Sequence, residues 1–201
     1  MLLHEKLKGR RLLLASQSPR RRELLAGCGL PYEPAPKYDV DEEYPTDMAA
    51  AEVPEYLSQL KSRAFPRPLA AGEILLTADT VVIVGGDTIL GKPHGRDDAL
   101  RMIGLLSGRR HTVVTGVTLR SDSRMHSFSV SSDVTFRQLR DEEAEYYVDT
   151  YNPSDKAGAY GIQEWIGYVA IERIDGSFYN VMGLPVQRLY TELERFVDDS
   201  Q

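Results

Sequence analysis

The sequence predicts a domain of mixed α/β or α+β class, and three observations support that prediction. Helical and strand patterns interleave along the 201 residues. Hairpin signals at Gly85-Gly86 and in the polar segment 121–124 break a regular strand–helix–strand rhythm. The chain is long enough to bury a proper core, as one large domain or two small ones. Together these features indicate a domain built on a mixed sheet.

Local patterns predict each element of the first half. Residues 12–15 are apolar and predict a short buried strand. Ser18-Pro19 then provides an N-cap residue and a proline suited to the first helical position, so a helix begins there. The elements expected next are strand and loop at 31–46, a helix at 48–65, a strand at 74–84 and its return from Ile89-Leu90.

The second half continues with the same alternation. Residues 96–106 have an apolar helical face, and Gly108 ends that helix. Strands at 111–119 and 128–136 flank the polar segment 121–124 and predict an antiparallel hairpin. The remaining predicted elements are a helix at 141–151, a strand at 168–174, a turn at Asp175-Gly176 and a closing helix at 184–196.

The composition excludes several classes of protein. Lys and Arg number 24 against 30 Asp and Glu, and the net charge of −6 argues against a sequence-blind nucleic-acid binder, which needs a broad basic surface. The single cysteine, Cys28, excludes an intrachain disulfide and is expected to be a small buried hydrophobic residue. Residues 1–15 lack the apolar run of a secretory signal or a membrane span, so the expected compartment is the cytoplasm.

A predicted junction between strand and helix carries basic residues that suit a phosphate. Ser16 precedes the junction, and Arg20 and Arg21 lie within residues 18–21, which we call the cationic turn. Backbone N–H groups and the helix dipole favour an anion at such a position and disfavour cations. A phosphate chain between the two arginines would explain their presence. The alternative is a solvated basic first turn.

An acidic residue, Asp79, interrupts the long apolar strand at 74–84. A carboxylate in such a strand is costly unless it is paired, bound to a metal or facing a cleft. Asp79 is therefore a candidate Mg²⁺ ligand or general base, and Asp41-Glu42-Glu43 is a candidate source of a second ligand. The alternatives are an Asp79 that caps a neighbouring turn and an acidic run that is only solvated.

Two lysines and a glutamine complete the polar candidates. Residues 86–93 imitate a phosphate-binding P-loop as far as Lys92, but Pro93 stands where a Ser or Thr must bind Mg²⁺, so a P-loop is rejected. Lys92 and Lys61 can still reach a phosphate as point charges, although each alone is better explained as a surface residue. Gln163, after two glycines, has the donors and acceptor to pair with uracil or thymine, or to act as an ordinary loop glutamine.

Taken in order, these segments resemble the Maf family of nucleotide pyrophosphatases. The matching stretches are LASQSPRR at 14–21, ADT at 78–80, LGKP at 90–93, LSG at 106–108, HTVVTGV at 111–117, DKAGAYGIQ at 155–163, DGSFYNV at 175–181 and GLP at 183–185. Each stretch alone is weak. The ordered set is specific, and it spans nearly everything from residue 12 to residue 196.

The resemblance implies a fold and a reaction. The fold would be α/β with an elongated, strongly twisted mixed sheet flanked by helices, similar to the inosine triphosphate pyrophosphatases, with two lobes around a cleft. One domain would span 1–201, with 1–10 as an N-terminal extension of no assigned role. The reaction would be attack of water on the α-phosphorus of a nucleoside triphosphate, with a divalent cation, Mg²⁺ or else Mn²⁺. A homodimer is implied by the family alone.

The resemblance also implies roles for individual residues. Asp79 would be the catalytic carboxylate and a metal ligand, activating water directly or through the metal, and Glu42 would be its acidic metal partner. Arg20, Thr80 and Gln163 match the positions associated with substrate choice. The residues that would bind substrate are Ser16, Arg20, Arg21, Lys61, Thr80, Lys92 and Gln163.

The loop that ends in Gln163 indicates one branch of the family. The form YGIQ at 160–163 resembles the group that hydrolyses dTTP and UTP, whereas the sister group prefers 7-methyl-GTP and has glutamate at that position. The dTTP/UTP group usually continues with glycine, but this chain has Glu164, which we expect to face away from the base. Two hypotheses remain beside this one: a 7-methyl-GTP pyrophosphatase, and a regulator of septum formation that acts by protein binding.

Overall fold

The computed structural model describes residues 1–199, which fold around one mixed sheet. The strands are β1 (Arg11–Leu14), β2 (Glu33–Pro34), β3 (Glu73–Val84), β4 (Thr88–Leu90), β5 (Arg110–Arg120), β6 (Met125–Phe136) and β7 (Ile171–Asp175). The helices are α1 (Leu3–Lys6), α2 (Pro19–Gly27), α3 (Val53–Arg63), α4 (Arg96–Leu106), α5 (Asp141–Tyr151), α6 (Trp165–Ala170), α7 (Phe178–Met182) and α8 (Val186–Asp198). Within residues 1–199, no helix has the length and apolar content needed to cross a membrane.

The sheet combines parallel and antiparallel pairs. The strand order is β2-β1-β3-β5-β6-β7, and β4 also pairs with β3. β1 runs parallel to β2 and β3, and the other pairs are antiparallel. The predicted mixed class is therefore confirmed. The β3–β4 and β5–β6 hairpins also form where the turn signals predicted them.

One edge of β3 is open in its middle. β1 pairs with the first part of that edge, up to Leu76, and β4 pairs with the last part, from Val82. Among the described residues, 77–81 have no strand partner on this edge, and we call them the β3 gap. On the opposite edge β5 pairs with β3 across the whole gap. Asp79 therefore lies at the centre of an opening in a strand that is held firmly from the other side.

The two faces of the sheet are covered by different helices. Asp79 lies on the same face as Thr77, because side chains alternate along a strand. Thr77 Oγ1 donates a hydrogen bond to the Ser58 carbonyl oxygen of α3 at 2.7 Å, so α3 covers this face. Its close approach depends on Gly116, opposite Asp79 on β5, where a Cβ would lie 2.2 Å from Glu55 N. The larger hydrophobic core, with residues of α2, α4, α5 and α8, lies on the other face.

The segment 168–174 is not the single strand that the sequence predicts. Residues Trp165–Ala170 form α6, and β7 begins only at Ile171. The preceding loop packs tightly on α6, since a Cβ on Gly167 would lie 1.7 Å from the Ile162 carbonyl oxygen. A short apolar run does not by itself distinguish helix from strand, and here tertiary packing decides.

The N-terminal segment 1–10, to which the sequence assigned no role, is packed against the C-terminal helix. Leu3 is fully buried, and its backbone N–H donates to the Tyr190 hydroxyl of α8 at 3.2 Å. Lys6 Nζ lies 2.8 Å from an Asp198 carboxylate oxygen. The short helix α1 in this segment has no counterpart among the predicted elements, nor has α7. Helix α3 is shorter than predicted, because Pro54 occupies its first turn and the helix starts at Val53.

Candidate active site

A cleft of about 800 Å³ opens at the β3 gap. The walls come from the cationic turn, the loop before α3, helix α3 itself, the end of β4 and the loop 155–164. Asp41 and Glu43, on either side of Glu42, do not line this cleft, whereas the residues that the resemblance assigns to the site all do: Ser16, Arg20, Arg21, Glu42, Lys61, Asp79, Thr80, Lys92 and Gln163. The structure therefore brings together side chains that are up to 147 positions apart in the sequence.

Two carboxylates meet at one lysine on the α3 side of the cleft. Lys61 Nζ donates to Asp79 Oδ1 at 2.6 Å and lies 3.1 Å from Glu42 Oε2. The Asp79 side chain is 13% exposed and that of Glu42 is 50% exposed, so both remain open to the cleft. Asp79 and Glu42, the predicted acidic pair, thus both contact the same ammonium group, that of Lys61.

The same pair suits a small divalent cation that takes few protein ligands. Mg²⁺ is commonly held by one or two carboxylates, with substrate phosphates and water completing its shell. In the described residues there is no group of three or more His, Cys, Asp or Glu side chains able to hold a metal alone. The two carboxylates alone would leave the rest of such a shell to water and phosphate.

Arg21 crosses the β3 gap and is committed to protein acceptors. Its Nη1 donates to the carbonyl oxygen of Ala78 at 3.0 Å and to Ser16 Oγ at 3.3 Å. Its Nη2 donates to Thr80 Oγ1 at 3.0 Å, and its Nε to the Gly183 carbonyl oxygen at 2.8 Å. Desolvation lowers the pKa of this guanidinium, against the opposing effect of the Asp79 charge. Four of the five N–H donors of the arginine are thus taken by protein acceptors, and two of these acceptors belong to Ala78 and Thr80 on either side of Asp79.

Arg20 instead reaches across to the loop 155–164. Its Nη1 lies 2.7 Å from Asp155 Oδ2, and its Nη2 donates to the Asp155 carbonyl oxygen at 3.3 Å. Burial acts to raise the pKa of Asp155, but hydrogen bonds from Lys156 and Arg20 outweigh it and lower that pKa to about 2. Lys92, on the exposed segment after β4, adds another positive charge to the cleft wall.

Gln163 presents an unpaired acceptor. Its Oε1 is shielded from solvent and has no hydrogen-bond partner within residues 1–199. A buried polar atom of this kind is costly unless a partner is supplied. The next residue, Glu164, is not part of the cleft lining in the described chain, because its carboxylate turns towards Tyr147 and Lys156.

A buried pair that sequence analysis did not single out supports this loop from behind. His111 Nε2 and the Tyr160 hydroxyl are 2.8 Å apart, and Phe136 packs edge-on against both rings. Burial lowers the pKa of His111 to about 4 and raises the pKa of Tyr160. Both residues stand in stretches of the family pattern, at the start of HTVVTGV and within DKAGAYGIQ. Their place in the family pattern was the one sequence signal that could have singled out these two residues, but it does not show that they contact each other.

We expect His111 to make the stability of the fold depend on pH. The unfolded imidazole takes up a proton near pH 6.5 and the folded one only near 4, so its stabilisation is complete above 6.5 and is lost as pH falls towards 4. The loss should approach about 3 kcal/mol. Urea denaturation of the wild type and His111→Gln at about pH 7.5 and about pH 4.5 measures it. The difference in unfolding free energy should shrink on acidification, and a constant difference would contradict the assignment.

Comparison with known proteins places the chain in a family. A family model described as Maf-like protein matches residues 11–196. The chain is similar to a dTTP/UTP pyrophosphatase of Bacteroides thetaiotaomicron, with 53% identity over 184 residues, 92% of this chain and 95% of that protein. A dTTP/UTP pyrophosphatase of Porphyromonas gingivalis is 52% identical over 194 residues, 96% of this chain and 97% of that protein.

Among solved structures, a HAM1 protein from Coxiella burnetii aligns with a TM-score of 0.49 and 15% identity, over 92% of this chain and 99% of that chain. The family assignment rests on the sequence matches alone, which run through the cationic turn, the β3 gap and the loop 155–164. The chain belongs to the Maf family.

Proposed function

We propose that this protein is a nucleotide pyrophosphatase that converts dTTP and UTP to the nucleoside monophosphate and pyrophosphate. The observation that carries the proposal is Asp79 at the centre of the β3 gap, 2.6 Å from the Lys61 ammonium, in a cleft that Arg20 and Lys92 also line. A carboxylate surrounded by cations suits a polyanionic substrate with a base beside it. The names of the two relatives described above support the choice of substrate.

The triphosphate would lie along the cationic side of the cleft. Arg20, Lys61 and Lys92 would neutralise its charge, and the Ser16 hydroxyl, two residues before the cationic turn, would donate a hydrogen bond to it. Arg21 also lines this wall, and we assign it a positioning role, because its donors already hold the Ala78 carbonyl oxygen and the Thr80 hydroxyl on either side of Asp79. The Thr80 hydroxyl contacts Arg21 and Thr115 and would shape the wall.

Gln163 would recognise the base. The unpaired Oε1 would accept a hydrogen bond from N3–H of uracil or thymine, and the amide N–H₂ would donate to O4. Cytosine presents the reverse pattern, an acceptor at N3 and a donor at C4, so it would be left unsatisfied by an amide held in this orientation. This pairing would give a preference for dTTP and UTP over CTP.

Asp79 would act as the general base. It would accept a proton from a water molecule whose oxygen forms a bond to the α-phosphorus, while the bond from that phosphorus to the bridging oxygen breaks and pyrophosphate leaves. Glu42 and Asp79 would hold a divalent cation, Mg²⁺ in the first instance, which supplies positive charge to the phosphate oxygens. Lys61, between the two carboxylates, would then turn its ammonium towards the substrate.

A panel of nucleoside triphosphates tests the proposal. With Mg²⁺ present, we expect kcat/KM for dTTP and UTP to exceed that for CTP by about 10²-fold or more, because a site built to pair a base rejects its hydrogen-bond mismatch. The released product should be pyrophosphate. Release of orthophosphate would contradict attack at the α-phosphorus. A preference for 7-methyl-GTP would contradict the role of Gln163.

A further inference from the structure

Glu164 closes the loop that carries Gln163 by contacts to three other groups. Its Oε2 accepts a hydrogen bond from the Tyr147 hydroxyl, and that hydroxyl accepts one from the Gly161 backbone N–H at 2.9 Å. Its own backbone N–H donates to the Gly161 carbonyl oxygen at 3.0 Å. The turn has no spare room, since a Cβ on Gly161 would lie 3.0 Å from both Glu164 Oε2 and Lys156 Cε. The Glu164 carboxylate therefore holds the Tyr147 hydroxyl that accepts the Gly161 N–H, and the Glu164 backbone holds the Gly161 carbonyl oxygen, two residues before Gln163.

The same carboxylate completes a row of alternating charges. Glu164 Oε1 lies 3.1 Å from Lys156 Nζ, which lies 2.8 Å from Asp155 Oδ1, and Asp155 Oδ2 pairs with Arg20. The Lys156 side chain is only 8% exposed, and a buried ammonium needs counter-charges. Without Glu164, Lys156 would depend on Asp155 alone and compete for it with Arg20. The row thus connects the cationic turn to the loop 155–164.

Tyr147 makes this contact from α5. Its side chain is fully buried, and both burial and the hydrogen bond to Glu164 raise the pKa of its phenol. Tyr151 stacks on its ring, with centroids 5.2 Å apart. The hydroxyl is therefore a fixed point on a packed helix, and the loop is held to it by Glu164 and Gly161.

We propose that Glu164 is a positioning residue for base recognition, acting with Tyr147 to hold Gln163 in the geometry that reads the base. The proposal rests on the proposed function. It assigns Glu164 no contact with substrate.

Two substitutions separate the effect of the Glu164 charge from that of the Tyr147 hydrogen bonds. Glu164→Gln removes the counter-charge of Lys156 and weakens the bond from Tyr147, and Tyr147→Phe removes the bonds to Glu164 and Gly161 while leaving the charges in place. Glu172→Gln on exposed β7 and Tyr168→Phe on α6, where Tyr168 is 83% exposed, are matched controls. Thermal melting would establish that each variant folds.

The first readout is discrimination between UTP and CTP. We expect the ratio of their kcat/KM values to fall by about tenfold in both variants, through a higher KM for UTP, with kcat changing by less than about threefold. Effects on triphosphate binding are common to both nucleotides and cancel in the ratio. The second readout is hydrogen exchange of the 155–164 amides, which should be about tenfold faster in both variants and unchanged in the controls.

Both readouts must move together. The proposal is overturned if either Glu164→Gln or Tyr147→Phe keeps the wild-type ratio or the wild-type exchange, or if the controls change as much. If the wild type hydrolyses no triphosphate, the proposed function fails, but the exchange measurement still decides whether Glu164 and Tyr147 hold the loop.

Discussion

Asp79→Asn should lower kcat for dTTP and UTP by about 10³-fold, since a positioned general base contributes about 10² to 10⁴ in rate. Asparagine has nearly the volume of aspartate and can still accept the hydrogen bond from Lys61, so the β3 gap should keep its shape. It cannot take the proton from water. It also removes one of the two carboxylates that converge on Lys61, which leaves Glu42 as its one acidic partner within residues 1–199.

The measurement is the rate of pyrophosphate release at saturating substrate, with KM determined separately. Asp87→Asn, in the exposed turn between β3 and β4, is a control that removes a carboxylate outside the cleft and should leave kcat unchanged. An Asp79→Asn enzyme whose kcat stays within about threefold of the wild type would mean that another group activates the water.

Arg21→Met should destabilise the fold by about 2 to 3 kcal/mol and reduce activity as well. Methionine fills part of the space but leaves the carbonyl oxygens of Ala78 and Gly183 without their donor, and an unsatisfied buried acceptor costs about 1 to 3 kcal/mol. The backbone on one side of Asp79 would then lose its support. Urea denaturation at neutral pH measures the change in unfolding free energy.

The neighbouring arginine provides the control for this experiment. Arg22 lies on the same helix, and its Nε has no hydrogen-bond partner in the part of the chain that the structure describes. Arg22→Met should therefore cost less than about 0.5 kcal/mol, as is usual for substitutions that break no specific contact. Equal destabilisation by the two substitutions would show that the contacts of Arg21 across the β3 gap do not support the fold.

Much of the fold could be predicted because local signals and tertiary packing agree. Helix α4 and helix α5 have the bounds that periodicity predicted, with Gly108 after the first and Asn152, in a left-handed conformation, after the second. The prediction of a strand at 168–174 was wrong because the apolar residues there suit either a helix or a strand. Helix α1 was not predicted for another reason. Its four residues give little periodicity, and its partner α8 is almost 190 positions away.

The site could be predicted as a set of residues but not as an arrangement. Ser16, Asp79 and Gln163 were found from local motifs, and the structure gathers them in one cleft. The contacts of Arg21 to Ala78 and Gly183 span 57 and 162 positions, and a single sequence contains no signal for them. The direction of Glu164 depends on Tyr147 of a different helix, so the sequence could supply the expectation that it faces away from the base but not its partner.

The pairing of β3 with β5 fixes the position of the Asp79 backbone during folding, before any ligand binds. Asp79 is opposite Gly116 in that pairing, with paired residues on both sides, so its backbone is placed as soon as the chain has folded. Under the proposed function, a nucleotide that enters the opening would meet the Asp79 backbone already in its final position. The entropic cost of placing that backbone would then be incurred on folding and would not recur at each turnover.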